Sequence, residues 1–150
     1  MTVIHANDPT TKVLSHLYEQ RQDISARITE ASTNGDIQRA LRGDITDRHV
    51  QFLRNKTCIG IWCHANLFAE QYGLHGLFSG MIISELQEAI DYHIPATKEE
   101  IDAEMEKFAR RLNDCIERFG LAETPVRMRD LDDVKSELTL FNYNNLYYYE

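Results

Sequence analysis

Residues 97–121 carry a helix start signal and a long amphipathic pattern, and they constrain the fold more than any other stretch. Thr97 and Glu100 form a Thr-x-x-Glu capping box, in which the two side chains satisfy orphan amide donors at a helix start. Apolar residues then recur in alternating steps of four and three: Ile101, Met105, Phe108, Leu112, Cys115 or Ile116, and Phe119. Gly120 follows where a helix C-cap belongs. The pattern predicts a helix that packs along a nearly antiparallel partner.

The predicted partner helix is the preceding stretch, Leu77 to His93. Its apolar residues recur at steps of three and four, and Glu85 and Glu88 project from one side because they lie three apart. Pro95 ends this run, since proline disfavours helical geometry at the residue before it and has no N–H to donate. The second helix carries its own polar stripe of Glu104, Lys107, Arg111 and Asp114.

Carboxylates at this spacing on two facing helices can hold a divalent metal. Mg²⁺ prefers hard oxygen ligands and usually binds through a few carboxylates together with substrate phosphates. Glu85 and Glu88 facing Glu104 would supply three such groups. The alternative is that these charges form a solvated helix face, which is common for glutamates three residues apart.

Three segments, 62–66, 82–89 and 104–121, resemble the MazG-like all-α nucleotide pyrophosphohydrolase family. That family carries Glu-x-x-Glu on one helix and Glu-x-x-Asp on the next. An Arg follows four residues after this Asp, a second Asp three residues further on, and then a closing Gly. Arg111, Asp114 and Gly120 fall in that register. The resemblance spans Trp62 to Leu121, less than half of the chain.

The resemblance implies an all-α fold with three parts. These would be an N-terminal helical extension at 1–56, a MazG-like four-helix core at 57–121 and a C-terminal extension at 122–150. It also implies a dimer or tetramer that hydrolyses a nucleoside triphosphate to the monophosphate and pyrophosphate. Glu85, Glu88 and Glu104 would be its catalytic carboxylates and Mg²⁺ ligands, and the metal would activate the attacking water.

The resemblance also implies which residues contact the substrate, and the sequence departs from the family pattern at one position. Trp62 would stack on the nucleotide, although it can equally be a core residue, and Asn66 would make a polar contact. Lys107 and Arg111 would contact phosphate, with Asp114 orienting them. However, Lys107 occupies the place of the family's fourth metal carboxylate, and an ammonium group offers a metal no lone pair. Weak or lost activity is therefore expected.

Two other classes of function stay open at this point. One is a protein that binds a nucleotide but no longer hydrolyses it, such as a phage-type sponge for signalling nucleotides. The stretch from Tyr92 to Pro95 weakly resembles the start of the helical hairpins in those sponges. The other is a helical adaptor. The net charge of −8 argues against nucleic acid or an anionic membrane as a partner. No signal peptide is visible, so a cytoplasmic protein with buried thiols at Cys58, Cys63 and Cys115 is expected.

The rest of the chain gives weaker patterns. Further helices are predicted at Thr11–Ala31, Ile37–Leu41, Asp44–Leu53, Thr57–Tyr72 and Met128–Leu140. The end of the chain, Phe141 to Tyr149, is aromatic and carries no charge. Such a surface is costly to leave in water, so this segment is predicted to pack against another subunit or to cover the core.

Overall fold

The computed structural model describes residues 2–5, 50, 51 and 53–150. Its strands are β1 (Thr2–His5), β2 (Thr57–Ile61), β3 (His75–Ser79) and β4 (Leu146–Tyr149). Its helices are α1 (Ala65–Tyr72), α2 (Leu86–Asp91), α3 (Lys98–Asp130) and α4 (Glu137–Asn144). The helices predicted at Thr11–Ala31 and Ile37–Leu41, and most of the one at Asp44–Leu53, lie outside the described residues.

The strands form one four-stranded mixed sheet in the order β1-β2-β3-β4. β1 and β2 are parallel, with Thr2 opposite Cys58, and β2 and β3 are also parallel. β4 runs antiparallel to β3. The predicted all-α fold is therefore wrong, and strands from each of the three predicted segments share the same sheet.

The correction falls on the two helices predicted at Thr57–Tyr72 and Leu77–His93. The first of these begins as β2, and the second overlaps β3 and an extended stretch before the short helix α2. Both β2 and β3 are buried at every residue after the first. A parallel strand that is covered on both faces reads as a continuous apolar run, which periodicity cannot distinguish from a buried helix segment.

The helix predicted from the capping box is confirmed at its start. The Thr97 side chain accepts a hydrogen bond from the N–H of Glu100, and the Glu100 side chain accepts one from the N–H of Thr97. The apolar residues of the pattern are buried as far as Ile116, whereas Phe119 is 41% exposed. Gly120 has φ 76° and ψ 174°, a conformation essentially restricted to glycine, and it breaks the helix there. The chain then resumes helical structure up to Asp130.

The core lies between the long helix α3 and the sheet. Its largest buried cluster joins Ile59 of β2 and Leu77 of β3 to the apolar face of α3. The rings of Phe108 on α3 and Tyr143 on α4 lie 5.4 Å apart, centroid to centroid. Among the described residues, no helix is long and apolar enough to cross a bilayer.

The C-terminal segment completes this core within its own chain. The helix predicted at Met128–Leu140 is instead divided, because α3 ends at Asp130 and α4 begins at Glu137. Tyr143 and Leu146 are buried, and β4 pairs with β3. Of the two roles predicted for Phe141 to Tyr149, covering the core is the one observed.

Candidate active site

The two glutamates of α2 bond to each other's backbone. Glu85 is the N-cap of α2, and its side chain accepts from the N–H of Glu88. The Glu88 Oε2 atom accepts from the N–H of Glu85 at 3.0 Å, from the N–H of Ser84 at 2.7 Å and from the Ser84 hydroxyl at 3.0 Å. Their spacing of three residues therefore serves to cap a helix, as in a capping box.

The predicted residues of α3 lie in an ion-pair network. Glu104 is 3.1 Å from the Lys107 ammonium, and Lys107 also lies 3.6 Å from Asp133. Arg111 is 2.6 Å from the same Asp133 carboxylate and donates to the Tyr143 hydroxyl at 3.1 Å. The hydrogen bond from Arg111 lowers the pKa of Asp133, and the hydrogen bond to Glu104 raises the pKa of Lys107. Both predicted phosphate contacts are thus engaged with carboxylates.

The carboxylates predicted to bind magnesium do not fit an ion. Within 2–5, 50, 51 and 53–150, no group of three or more His, Cys, Asp or Glu side chains is placed to hold a metal. Glu85 and Glu88 cap α2, while Glu104 pairs with Lys107. The Oε2 atom of Glu104 is buried without a hydrogen-bond partner among the described residues, but one such oxygen is not a ligand set.

The remaining predicted substrate contacts lie in two places. Trp62 is partly buried and packs edge-on against Phe68, with 5.9 Å between ring centroids. Asn66 follows in the first turn of α1, and its Oδ1 atom is buried with no partner among the described residues. Asp114 is exposed on α3. The prediction that Trp62 and Asn66 lie one turn apart on the same helix is therefore wrong, because Trp62 precedes α1.

The turn that connects β2 to α1 is the most distinctive local feature of the described chain. Trp62, Cys63 and His64 leave the carboxyl end of β2, and α1 begins at Ala65. In open α/β sheets, ligands bind outside the carboxyl ends of parallel strands. Nucleophiles of one large enzyme class lie on a sharp strand-to-helix turn of this kind. The turn therefore holds Cys63 where a reactive group can meet a ligand.

The end of β3 fixes this turn rigidly. The Ser79 hydroxyl accepts from the N–H of Trp62 at 3.0 Å and donates to its carbonyl at 2.8 Å. The N–H of His64 donates to the carbonyl of Gly80 at 3.1 Å. His64 takes a left-handed conformation, with φ 64° and ψ 27°. Residues on both sides of Cys63 are thus held by β3, which leaves its side chain in a defined place.

Cys63 differs from the two other cysteines. It is exposed, whereas Cys58 and Cys115 are buried, so the prediction of three buried thiols is wrong for Cys63. Burial raises the pKa of Cys58 to about 11. The Cys63 thiol donates to the Oε1 atom of Glu88 at 3.7 Å, an accepted distance for sulfur. A thiol must be accessible to react, and of the three cysteines Cys63 meets this condition.

The environment of Cys63 raises the pKa of its thiol. Partial burial raises its pKa first, and the negative charge of Glu88 raises the pKa further. Backbone N–H groups of Ile82 and of Cys63 itself act in the opposite direction. Glu88 therefore has two contacts with distinct roles: Oε2 anchors the start of α2 and Oε1 faces the thiol.

The sequence contained a signal for this site that the helical interpretation concealed. Cys58 to Trp62 is an apolar run with two isoleucines, and Cys63 directly follows it. Read as a buried strand of four to eight residues, this run would have placed Cys63 at a strand end. Glu88 was predicted as a metal ligand, whereas the structure shows it bonded to a thiol and to the start of a helix.

No family model matches the chain, and neither does any curated protein or solved structure.

Replacing Glu88 by Gln is expected to make Cys63 more reactive toward iodoacetamide at neutral pH. The charge that raises the thiol pKa is removed, so the thiolate fraction rises at a given pH, while the amide oxygen can still accept at the α2 cap. The pH profile of alkylation should shift to lower pH and the rate at neutral pH should rise several-fold. Glu85→Gln is the matched control because Glu85 belongs to the same cap without contacting the thiol. Equal profiles for the two variants would contradict the pairing.

Proposed function

We propose that the protein is a thiol-dependent acyl-transfer enzyme, a hydrolase of peptide, amide or ester carbonyls, with Cys63 as its nucleophile. The observation that carries the proposal is the exposed Cys63 thiol on a fixed strand-to-helix turn, bonded to Glu88. Cysteine suits this chemistry because its thiolate, formed when a neighbouring group takes the thiol proton, is a strong nucleophile. Its thioester intermediate divides one difficult step into two easier ones.

The proposed reaction assigns a separate task to each group. The Cys63 sulfur attacks the carbonyl carbon while the thiol proton passes to the Oε1 atom of Glu88, which lies 3.7 Å away. The leaving group departs with that proton, and a thioester remains on Cys63. Water then cleaves the thioester, which releases the acid and restores the thiol. Glu88 is positioned for this role by the three hydrogen bonds that hold its other oxygen.

The nucleotide pyrophosphohydrolase and nucleotide-binding hypotheses stay predictions from the sequence resemblance. Their support is reduced because the sheet replaces the implied all-α fold. Glu85, Glu88 and Glu104 do not gather as ligands, and Lys107 and Arg111 are paired with acidic residues. No step of the proposed reaction uses a metal ion.

The proposal is tested with p-nitrophenyl acetate as an activated acyl donor. The wild-type protein should release p-nitrophenol in a burst and then at a steady rate, because acylation and deacylation are separate steps. Cys63→Ser should lose both phases to the background of the buffer. Glu88→Gln should slow the burst even though it accelerates alkylation by iodoacetamide, since the acceptor of the thiol proton in the acylation step is lost.

Cys115→Ser is the matched control, because it removes a buried thiol from the same chain. It should retain the burst and the steady rate. Glutathione at the same molar concentration gives the rate of an unassisted thiol. A wild-type rate no higher than that of glutathione, or turnover that persists in Cys63→Ser, would contradict the proposed function.

A further inference from the structure

The strand β4 leaves one side of its backbone unpaired in the described sheet. It is the last strand in the order β1-β2-β3-β4 and is paired with β3 on one side. The N–H of Gly80 donates to the carbonyl of Asn145 at 2.9 Å, so these two residues form a hydrogen-bonded pair. In an antiparallel ladder such pairs alternate with pairs that are not bonded. Leu146 and Tyr148 therefore direct their N–H and C=O groups away from β3.

Among the described residues, β4 carries no charge, proline or bulge of the kind that prevents edge strands from pairing, although it is short at four residues. Natural proteins protect an exposed edge with Lys, Pro, a bulge or inward charges. Phe141 to Tyr149 contains no charged residue and no proline. β4 pairs with β3 in continuous register over its four residues, without a bulge. Tyr147 and Tyr148 are 37% and 38% exposed, so aromatic surface accompanies the open backbone groups.

We propose that β4 pairs antiparallel with β4 of a second copy of this chain, which joins two four-stranded sheets into one of eight strands. Two identical strands in antiparallel orientation satisfy each other's donors and acceptors about a two-fold axis, the commonest symmetry of homodimers. The exposed tyrosines of each copy would then lie opposite β4 of the other copy, where aromatic cross-strand pairs stabilise a sheet.

Charge favours a second copy over a foreign peptide as the occupant. The chain carries a net charge of −8, so two copies repel each other over most of their surfaces. The uncharged segment from Phe141 to Tyr149 is where two copies can approach with least repulsion. It also offers no charge with which to select an acidic or basic peptide strand.

Sedimentation velocity of the full chain with and without Tyr148→Pro tests the proposal. The wild-type protein should sediment as a dimer, with twice the chain mass of 17.4 kDa. Tyr148→Pro removes an outward N–H and leaves the hydrogen bonds to β3 in place, because proline is tolerated on the solvent side of an edge strand. The variant should therefore sediment as a folded monomer, with an unchanged circular dichroism spectrum.

Three further variants keep the test decisive. Tyr148→Phe retains the backbone N–H and the aromatic ring, so it should remain dimeric. Tyr148→Lys puts a charge on each of the two paired edges and should give the monomer even if the proline variant fails to fold. Leu67→Lys changes an exposed apolar residue outside β4 and should remain dimeric. A monomeric wild-type protein would overturn the proposal, as would a dimer that persists in Tyr148→Pro or Tyr148→Lys.

Discussion

Gly76→Ala is expected to unfold the protein. Gly76 lies in β3 opposite Cys58 of β2, and a Cβ atom built at Gly76 would be 1.9 Å from the Cys58 carbonyl oxygen and 2.8 Å from its nitrogen. Both atoms belong to the backbone of a central strand, so no side-chain rotation relieves the overlap. The φ of 126° also disfavours any residue with a Cβ. The strands would have to separate.

We expect Gly76→Ala to cost more than about 4 kcal/mol, a large part of the roughly 5–15 kcal/mol that stabilises a typical domain. Urea unfolding followed by circular dichroism measures this cost. Gly73→Ala is the matched control: Gly73 also has a positive φ, 63°, but a Cβ atom there meets nothing within 4 Å. Its cost should be about 1–2 kcal/mol, from backbone strain alone. Similar costs at the two positions would contradict the close approach of β2 and β3.

Asn142→Leu is expected to be the second most damaging of these changes. The Asn142 side chain is buried on α4, where Oδ1 accepts from the N–H of Ile83 at 2.7 Å and Nδ2 donates to the carbonyl of Ile83 at 3.0 Å. Ile83 lies in the extended stretch between β3 and α2 and is fully buried. A leucine of similar size removes both partners at once and leaves a buried donor and acceptor unsatisfied.

Each of the two unsatisfied groups costs about 1–3 kcal/mol, so Asn142→Leu should destabilise the fold by roughly 2–6 kcal/mol. Asn144→Leu is its control on the same helix, since the Asn144 side chain bonds to the carbonyl of Leu140 in an exposed position. That variant should lose less than about 1 kcal/mol, because water can replace the bond. Equal midpoints in urea for the two variants would show that Asn142 does not hold the stretch at Ile83.

The helices that could be predicted are those with strong local signals. The start of α3 follows from Thr97 and Glu100 within one turn, and its buried face follows from periodicity as far as Ile116. These signals need no knowledge of the rest of the chain. Gly120 was predicted to be the C-cap of this helix, but it is a non-helical residue within α3, and helical structure resumes beyond it up to Asp130.

The sheet could not be predicted because its pairings are non-local and its strands are covered. Thr2 pairs with Cys58, and Ser79 pairs with Leu146. Because the paired segments are far apart in the sequence, neither pairing leaves a periodic pattern in either segment. β2 and β3 lack the alternation of a half-exposed strand. Because both runs were interpreted as helices, the sequence looked compatible with the all-α family, whereas the structure has strands there.

The candidate site was predicted in part. Glu85 and Glu88 were chosen for their spacing, but this spacing suits a capping box as well as a metal, and the structure has the box. Lys107 was recognised as unsuited to bind a metal, and it pairs with Glu104 as its charge requires. Cys63 was missed because its exposure depends on where β2 ends, which the sequence pattern did not give.

The most direct test of the central claim is the site of acylation during turnover. The reaction of the wild-type protein with p-nitrophenyl acetate is quenched during the burst. The protein is then digested, and the masses of its peptides are measured by mass spectrometry. We expect the acetyl group on Cys63 at near-stoichiometric occupancy, with Cys58 and Cys115 unmodified because both are buried. The acetyl group should be lost on further incubation as water cleaves the thioester. Acetylation spread over lysines, or a Cys63 peptide that stays unmodified while p-nitrophenol is released, would contradict Cys63 as the nucleophile.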